Sequence, residues 1–320
     1  MKKMALSIAV STVVAASGAS AATILEQDNL KLDLEGDFQV NFEKSTVKDS
    51  KVQMVYDDME VKFKPTYSFD NGLTAFGVLE VEFKDDADRA PLSAGGVEVD
   101  VPSNKVDDAY VGLGYMGGTI AFGDMVYASD DFGIGEDFEL GVDGAGLGST
   151  DGADVIKVTY GTDMFTVKAS YDMPEEDMSG LKDERSFDLY GETTFSDITV
   201  AGTFQSYKKQ GKGADDVNSF GISGKYATDM FSVGAEFTSV DEENAEAVAY
   251  EIAGTYSATD MVTLAAGFGQ WIPDEGDTVS QYYLNAKYAF AEKAYTFAEI
   301  GGNDVDDSEL GYAVGLAVKF

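Results

Sequence analysis

Leu30-Lys31-Leu32-Asp33-Leu34-Glu35-Gly36-Asp37-Phe38-Gln39-Val40-Asn41-Phe42 alternates without a break: even positions are apolar or Gly, and odd positions are polar or charged. Successive side chains of a β-strand point to opposite faces, so a period of two predicts a strand with one apolar and one wet face. The same pattern returns at 165–171, 231–237 and 312–320.

A second regularity lies between such stretches. Tyr160-Gly161-Thr162-Asp163-Met164-Phe165 is echoed by Tyr226-Ala227-Thr228-Asp229-Met230-Phe231 and by Tyr256-Ser257-Ala258-Thr259-Asp260-Met261. Phe195-Ser196-Asp197-Ile198 and Phe290-Ala291-Glu292-Lys293 hold equivalent places, as do Asp70-Asn71-Gly72 and Met116-Gly117-Gly118 upstream. Positions 163, 197, 229, 260 and 292 mark a period of 31 to 34 residues. Each period holds two strands of about ten residues, a tight turn and a polar loop, which is the unit of a transmembrane β-barrel.

Seven tight turns are predicted near 70, 117, 162, 196, 228, 259 and 291. Eight loops fall near 44–51, 85–104, 127–152, 174–184, 209–217, 241–247, 272–279 and 302–308. Fifteen connections predict sixteen antiparallel strands in one all-β barrel. Pro91, Pro102, Pro174 and Pro273 lie in or beside the loops and Pro65 near a turn, as suits a residue that cannot donate to a ladder. Tyr67, Tyr115, Tyr160, Phe195, Tyr226, Tyr256 and Tyr288 each precede a turn, forming an aromatic ring at one membrane interface. A soluble β-sandwich would alternate too, but needs no aromatic at every turn.

The chain opens Met1-Lys2-Lys3, runs through an apolar stretch at 5–16 and reaches Ala19-Ser20-Ala21-Ala22, the pattern of a secretory signal peptide. Residues 1–21 are predicted to be removed, with cleavage after Ala22 the competing choice, leaving 22–320 as a single barrel domain. No later run of 18 apolar residues exists, so no spanning helix is predicted.

The 320 residues include no Cys and no His. Disulfides, thiolate metal sites and imidazole zinc sites are thereby excluded, as are Ser-His-Asp and Cys-His hydrolases. No cofactor and no bound metal are predicted; the acidic outer loops, such as Asn303-Asp304-Val305-Asp306-Asp307-Ser308-Glu309, suggest at most loosely held divalent cations. The net charge of −36 disfavours nucleic acid as a partner. Asp107-Asp108 is no glycosidase dyad, because neighbours on a strand point apart.

With the strands counted, the chain resembles the sixteen-stranded general porins of Gram-negative bacteria. The features that carry the resemblance are Leu34-Glu35-Gly36 in the first strand, Ala109-Tyr110-Val111-Gly112-Leu113, Gly118-Thr119-Ile120-Ala121-Phe122-Gly123 and the terminal Phe320. It implies a homotrimer in the outer membrane, contact with lipid and lipopolysaccharide, and a C-terminal Phe320 read by the outer-membrane assembly machinery. It also implies that loop 3, residues 127–152, folds into the lumen as a constriction. Its carboxylates Asp130, Asp131, Glu136, Asp137, Glu139 and Asp143 then belong to the eyelet. Where such porins set basic side chains on the facing wall, this chain carries Asp37, Asp58 and Asp124. Asp124 shares the parity of Ile120 and Phe122, so it faces the lumen only if Gly123 bulges. Lys31, Lys62, Lys64, Lys157 and Lys168 alternate inward and are the candidate wall cations.

Inward rows of mixed charge and sixteen strands suit an aqueous channel rather than a packed interior. The expectation is therefore no enzyme but a pore for small hydrophilic solutes, preferring cations. The alternatives are a substrate-specific sugar porin, for which the inward Tyr110, Tyr190 and Tyr283 are scattered, and a structural or adhesive barrel without conductance. Lys208, Lys209 and Lys212 form a basic cluster at the outer rim that could meet lipopolysaccharide phosphates.

Overall fold

The computed structural model describes residues 21–83, 92–94, 97–99, 105–134, 140, 147–174, 185–208, 216–242 and 245–320. Its strands are β1 (Ala22–Gln27), β2 (Leu30–Lys44), β3 (Gln53–Ser68), β4 (Thr74–Glu82), β5 (Leu92–Ala94) and β6 (Val97–Val99). Then follow β7 (Lys105–Tyr115), β8 (Gly118–Val126), β9 (Asp151–Gly161), β10 (Phe165–Asp172), β11 (Arg185–Phe195), β12 (Ile198–Lys208) and β13 (Asp216–Ala227). The last are β14 (Phe231–Glu242), β15 (Ala245–Thr259), β16 (Val262–Pro273), β17 (Val279–Ala291), β18 (Ala294–Asn303) and β19 (Gly311–Lys319). No described helix is long and apolar enough to cross a membrane.

β2 to β4 and β7 to β19 pair antiparallel in chain order, and β19 returns to β2, so sixteen strands close into a ring. Closure gives every strand two neighbours, which lets the backbone polar groups pair within the protein where lipid offers no partner. Seven turns and eight further connections join the sixteen strands as predicted, but the one expected at 241–247 shortens to the two residues between Glu242 and Ala245. Two elements escaped the sequence reading: the short β5–β6 hairpin, inside the second loop, and β1. β1 pairs with residues 30–34 of β2, continuing the edge that β19 covers from Asp37 to Lys44.

The repeated Thr-Asp-Met turns have a local cause. The hydroxyls of Thr162, Thr228 and Thr259 accept the N–H groups two and three residues on, at 3.0–3.3 Å. These bonds satisfy donors that the reversing chain would leave open. Pro273 ends β16, whereas Pro65 lies inside β3, where the register with β4 skips from Phe63 to Thr66.

Burial is the inverse of that in a soluble protein. Along β19, Tyr312, Val314, Leu316 and Val318 are exposed outward while Ala313 and Ala317 are buried on the inner face. The buried side chains elsewhere are largely polar, among them Gln39, Asn41, Glu80, Asp188, Gln205 and Glu299. The seven aromatics that precede the turns are all exposed, as an interfacial belt requires.

Candidate functional site in the barrel lumen

Alternation delivers the inner wall. Odd positions of β2, even positions of β3 from Asp58 on and even positions of β4 and β10 point inward, so lysines meet carboxylates of their own or a neighbouring strand. Lys31 bridges Asp33 at 2.7 Å and Lys64 bridges Glu35 at 2.6 Å. Lys62 holds Glu80 and lies 3.8 Å from Asp108. Lys168 reaches Asp131 at 2.5 Å, and Lys319, the last residue of β19, holds Asp37. Lys157 instead donates to the Val126 carbonyl at 2.7 Å. Of the predicted wall cations, then, four of five sit on a carboxylate.

Two of the acidic wall positions, Asp58 and Asp124, lie beside shifts of register. Between β2 and β3 the register passes from Phe38↔Met59 to Val40↔Tyr56, which sets Asp57 and Asp58 together against Gln39. Gln39 Nε2 donates to Asp57 Oδ2 at 2.8 Å, and Asp58 interacts electrostatically with Glu60 and Lys319. Asp57 was missed because unbroken alternation assigns it to the outer face, and the adjacent Asp-Asp pair was the available signal. At β8 Gly123 takes φ +137°, and the register with β9 shifts between Gly123 and Met125. The extra residue of that shift lies on β9, where Ala153 and Asp154 stand against Asp124, while the ladder with β7 runs unbroken and pairs the half-buried Asp124 with the exposed Ala109.

The described residues of the 127–152 segment make their contacts with inward-facing wall side chains. Residues 128–131 form a 3-10 turn. Tyr127 Oη donates to Asp172 at 2.8 Å, and the Ala128 N–H donates to Ser170 Oγ at 2.8 Å. Asp188 on β11 accepts from Ser129 Oγ at 2.6 Å, Gln205 Nε2 at 2.7 Å, Ser186 Oγ at 2.7 Å and Ser170 Oγ at 3.3 Å. Gln205 also donates to the Ser149 carbonyl at 2.7 Å, so both ends of the segment meet at one place on β10 to β12. Desolvation by the surrounding segment and wall, followed by the charge of Asp131, raises the carboxyl pKa of Asp130 above the ordinary range, though the side chain itself is exposed. Glu136, Asp137, Glu139 and Asp143 lie outside the described residues.

Tyr110, Tyr190 and Tyr283 sit on separate strands. Tyr110 packs edge-on against Phe76, with centroids 6.5 Å apart, and the Lys168 ammonium stands 5.9 Å from the Tyr190 ring. At the rim Lys208 lies 3.9 Å from Asp216, while Lys209 and Lys212 fall outside the described residues. No group of three or more Asp or Glu suited to a metal occurs among the described residues.

A closed sixteen-stranded barrel, apolar outside and lined within by charged and amide side chains, defines a membrane channel. The chain belongs to the Gram-negative porin family, whose model matches residues 5–308. It is 26% identical over its whole length, and that of the relative, to the porin-like protein H of Photobacterium profundum. It is 25% identical, again over both whole chains, to a monosaccharide porin of a Halomonas species. In fold it is similar to the trimer form of OmpT from Vibrio cholerae, with a TM-score of 0.73 and 21% identity over 92% of this chain and 100% of that one. The protein is thus an outer-membrane channel rather than an enzyme.

Proposed function

We propose that this porin is a general diffusion channel that favours cations, narrowed by the segment 127–152 lying in its lumen. The carrying observation is the pairing of Lys31, Lys62, Lys64, Lys168 and Lys319 with carboxylates. Their charge is spent locally, and the inner wall carries further carboxylates at Asp57, Glu60, Glu82, Asp172, Asp188, Glu236, Glu251 and Glu299. These outnumber the remaining inward-register lysines, Lys157, Lys225 and Lys287. At physiological salt the Debye length is about 8 Å, so a permeating ion feels such a wall. The eyelet is assigned to Asp130 and Asp131 on the segment, continuing through Glu136, Asp137, Glu139 and Asp143, with Asp37, Asp58 and Asp124 on the wall. The reversal potential of a planar bilayer in a salt gradient tests the preference, and anion selectivity would sink it. Asp58→Arg with Asp124→Arg is expected to shift the potential toward anions.

The solved trimer form of OmpT supports a homotrimer here, which mass measurement by light scattering in detergent checks. Removal of residues 1–21 is tested by N-terminal sequencing of the membrane form, expected to begin at Ala22. The monosaccharide porin among the relatives favours a second reading, a sugar-selective pore. Liposome swelling that saturates with a monosaccharide, where a general pore gives a linear rate, would support it.

A further inference from the structure

Three stretches of wall hold the segment in one manner. On β14, Glu236 Oε2 accepts the Ile134 N–H at 2.8 Å, and a Cβ built on Gly234 would stand 2.9 Å from the Cβ of Ile134. On β18, Glu299 Oε1 accepts the Leu140 N–H at 2.6 Å, and a Cβ on Gly301 would stand 2.7 Å from the Cβ of Leu140. On β12 the shapes are exchanged. Gln205 Oε1 accepts the Gly148 N–H at 2.5 Å, and the Tyr207 ring fills the place of a Gly148 side chain.

Residues two apart on a strand project side by side, about 7 Å apart, onto one face. Each pair therefore offers one loop residue an acceptor for its N–H and a matching shape for its side chain. We propose that Gly234 with Glu236, and Glu299 with Gly301, are sockets that fix how closely the segment lies against the wall. Together they set the width of the passage left open. This rests on the reading that the segment narrows the lumen. The wall glycines are then specificity-determining positions: contacts under 3 Å are not tolerated, so any side chain there must lift the segment or break its hydrogen bond. Phe132, whose ring lies 2.6 Å from where a Gly221 Cβ would stand, adds an apolar contact between the two ends.

The absence of cysteine makes a direct test possible. Ile134→Cys with Gly234→Cys, in the assembled full-length protein, is expected to oxidise to a disulfide seen as a gel shift reversed by reductant, the segment lifting by only the roughly 1 Å that parts the two Cβ atoms from 2.9 Å to a disulfide's separation of about 3.8 Å. Gly234→Val with Gly301→Val is expected to release the segment. Open-channel current noise should rise, and the ratio of liposome swelling rates for a trisaccharide against a monosaccharide should change at least about twofold. Ile134→Gly with Leu140→Gly removes the two Cβ atoms that enter the sockets and leaves the barrel strands untouched, should the valine variant fail to assemble. Gly224→Val, on the outward face of β13, should change neither quantity. A disulfide that forms while both release variants keep wild-type noise and sugar ratios overturns the sockets and leaves the constriction standing. No disulfide in an assembled barrel overturns the constriction and the sockets with it.

Discussion

Phe320 and Gly36 join the two ends of the barrel by backbone and by shape together. Each donates its N–H to the other's carbonyl at 2.9 Å, and the Phe320 ring occupies the space that a side chain at 36 would need. The ring also stacks on Phe38, with centroids 5.6 Å apart.

Phe320→Ala and Gly36→Val should therefore both weaken closure, the first by removing the ring and the second by displacing it. The ring pair alone contributes about 1 kcal/mol beyond the area it covers. A smaller fraction of heat-modifiable, compact barrel on unheated gels is the expected outcome for each. Wild-type folded fractions for both would show that the seam does not depend on this contact.

Cation preference should fade with ionic strength. The Debye length falls from about 8 Å at physiological salt to about 3 Å at 1 M, so an ion passing mid-channel ceases to feel the wall. The permeability ratio from reversal potentials is expected to move toward that of the free ions at about 1 M salt. A ratio independent of salt would point to direct ion coordination in place of a diffuse field.

Asp188→Ala should loosen the segment and lower stability. The substitution leaves Ser129, Ser170, Ser186 and Gln205 without their shared acceptor in a fully buried place. Each stranded donor costs about 1–3 kcal/mol, less where lumenal water enters, so a loss of about 2 kcal/mol or more is expected in detergent denaturation. Asp188→Asn should lose less, since one carbonyl oxygen remains.

Acid should undo the outer loop at 304–310. Hydrogen bonds from Ser280 hold the Asp304 carboxyl below the ordinary range, and the Lys44 ammonium, 2.8 Å away, does the same for Glu309. Groups lowered in the folded state contribute above their unfolded values, near 4, and lose that contribution as pH falls through the folded values. Amide protection across 304–310, corrected for intrinsic exchange, should hold between about pH 5 and 8 and fall below about pH 4. Flat protection down to pH 2 would show that other contacts hold the loop.

The barrel was legible because alternation and turn chemistry are local: the thirteen residues from Leu30 and the Thr-Asp-Met turns each announce themselves within a short window. The lumen was half legible. Parity placed Lys31, Lys62, Lys64 and Lys168 on the inner face, but the partners of Lys62 and Lys64 sit on neighbouring strands, where only register decides the pair, and that of Lys168 sits on the 127–152 segment. Asp57 was hidden by a bulge, which inverts parity and left only the adjacent Asp57-Asp58 pair as its trace in the sequence. The sockets were invisible for another reason. Gly234-Ala235-Glu236 and Glu299-Ile300-Gly301 read as ordinary strand, and their meaning comes from Ile134 and Leu140, roughly 100 and 160 residues away in the chain.

The pairing of β19 with β2 has a consequence for how the molecule comes into being. Its contacts join residues some 270 positions apart, Tyr312 with Lys44 and Lys319 with Asp37. Loop closure of that span must precede any gain from it, which makes barrel formation slow by topology. Until the last strand arrives, β2 presents an unpaired edge of the kind that recruits foreign strands. A chain truncated before β19 is thus no smaller channel but an open sheet prone to aggregate.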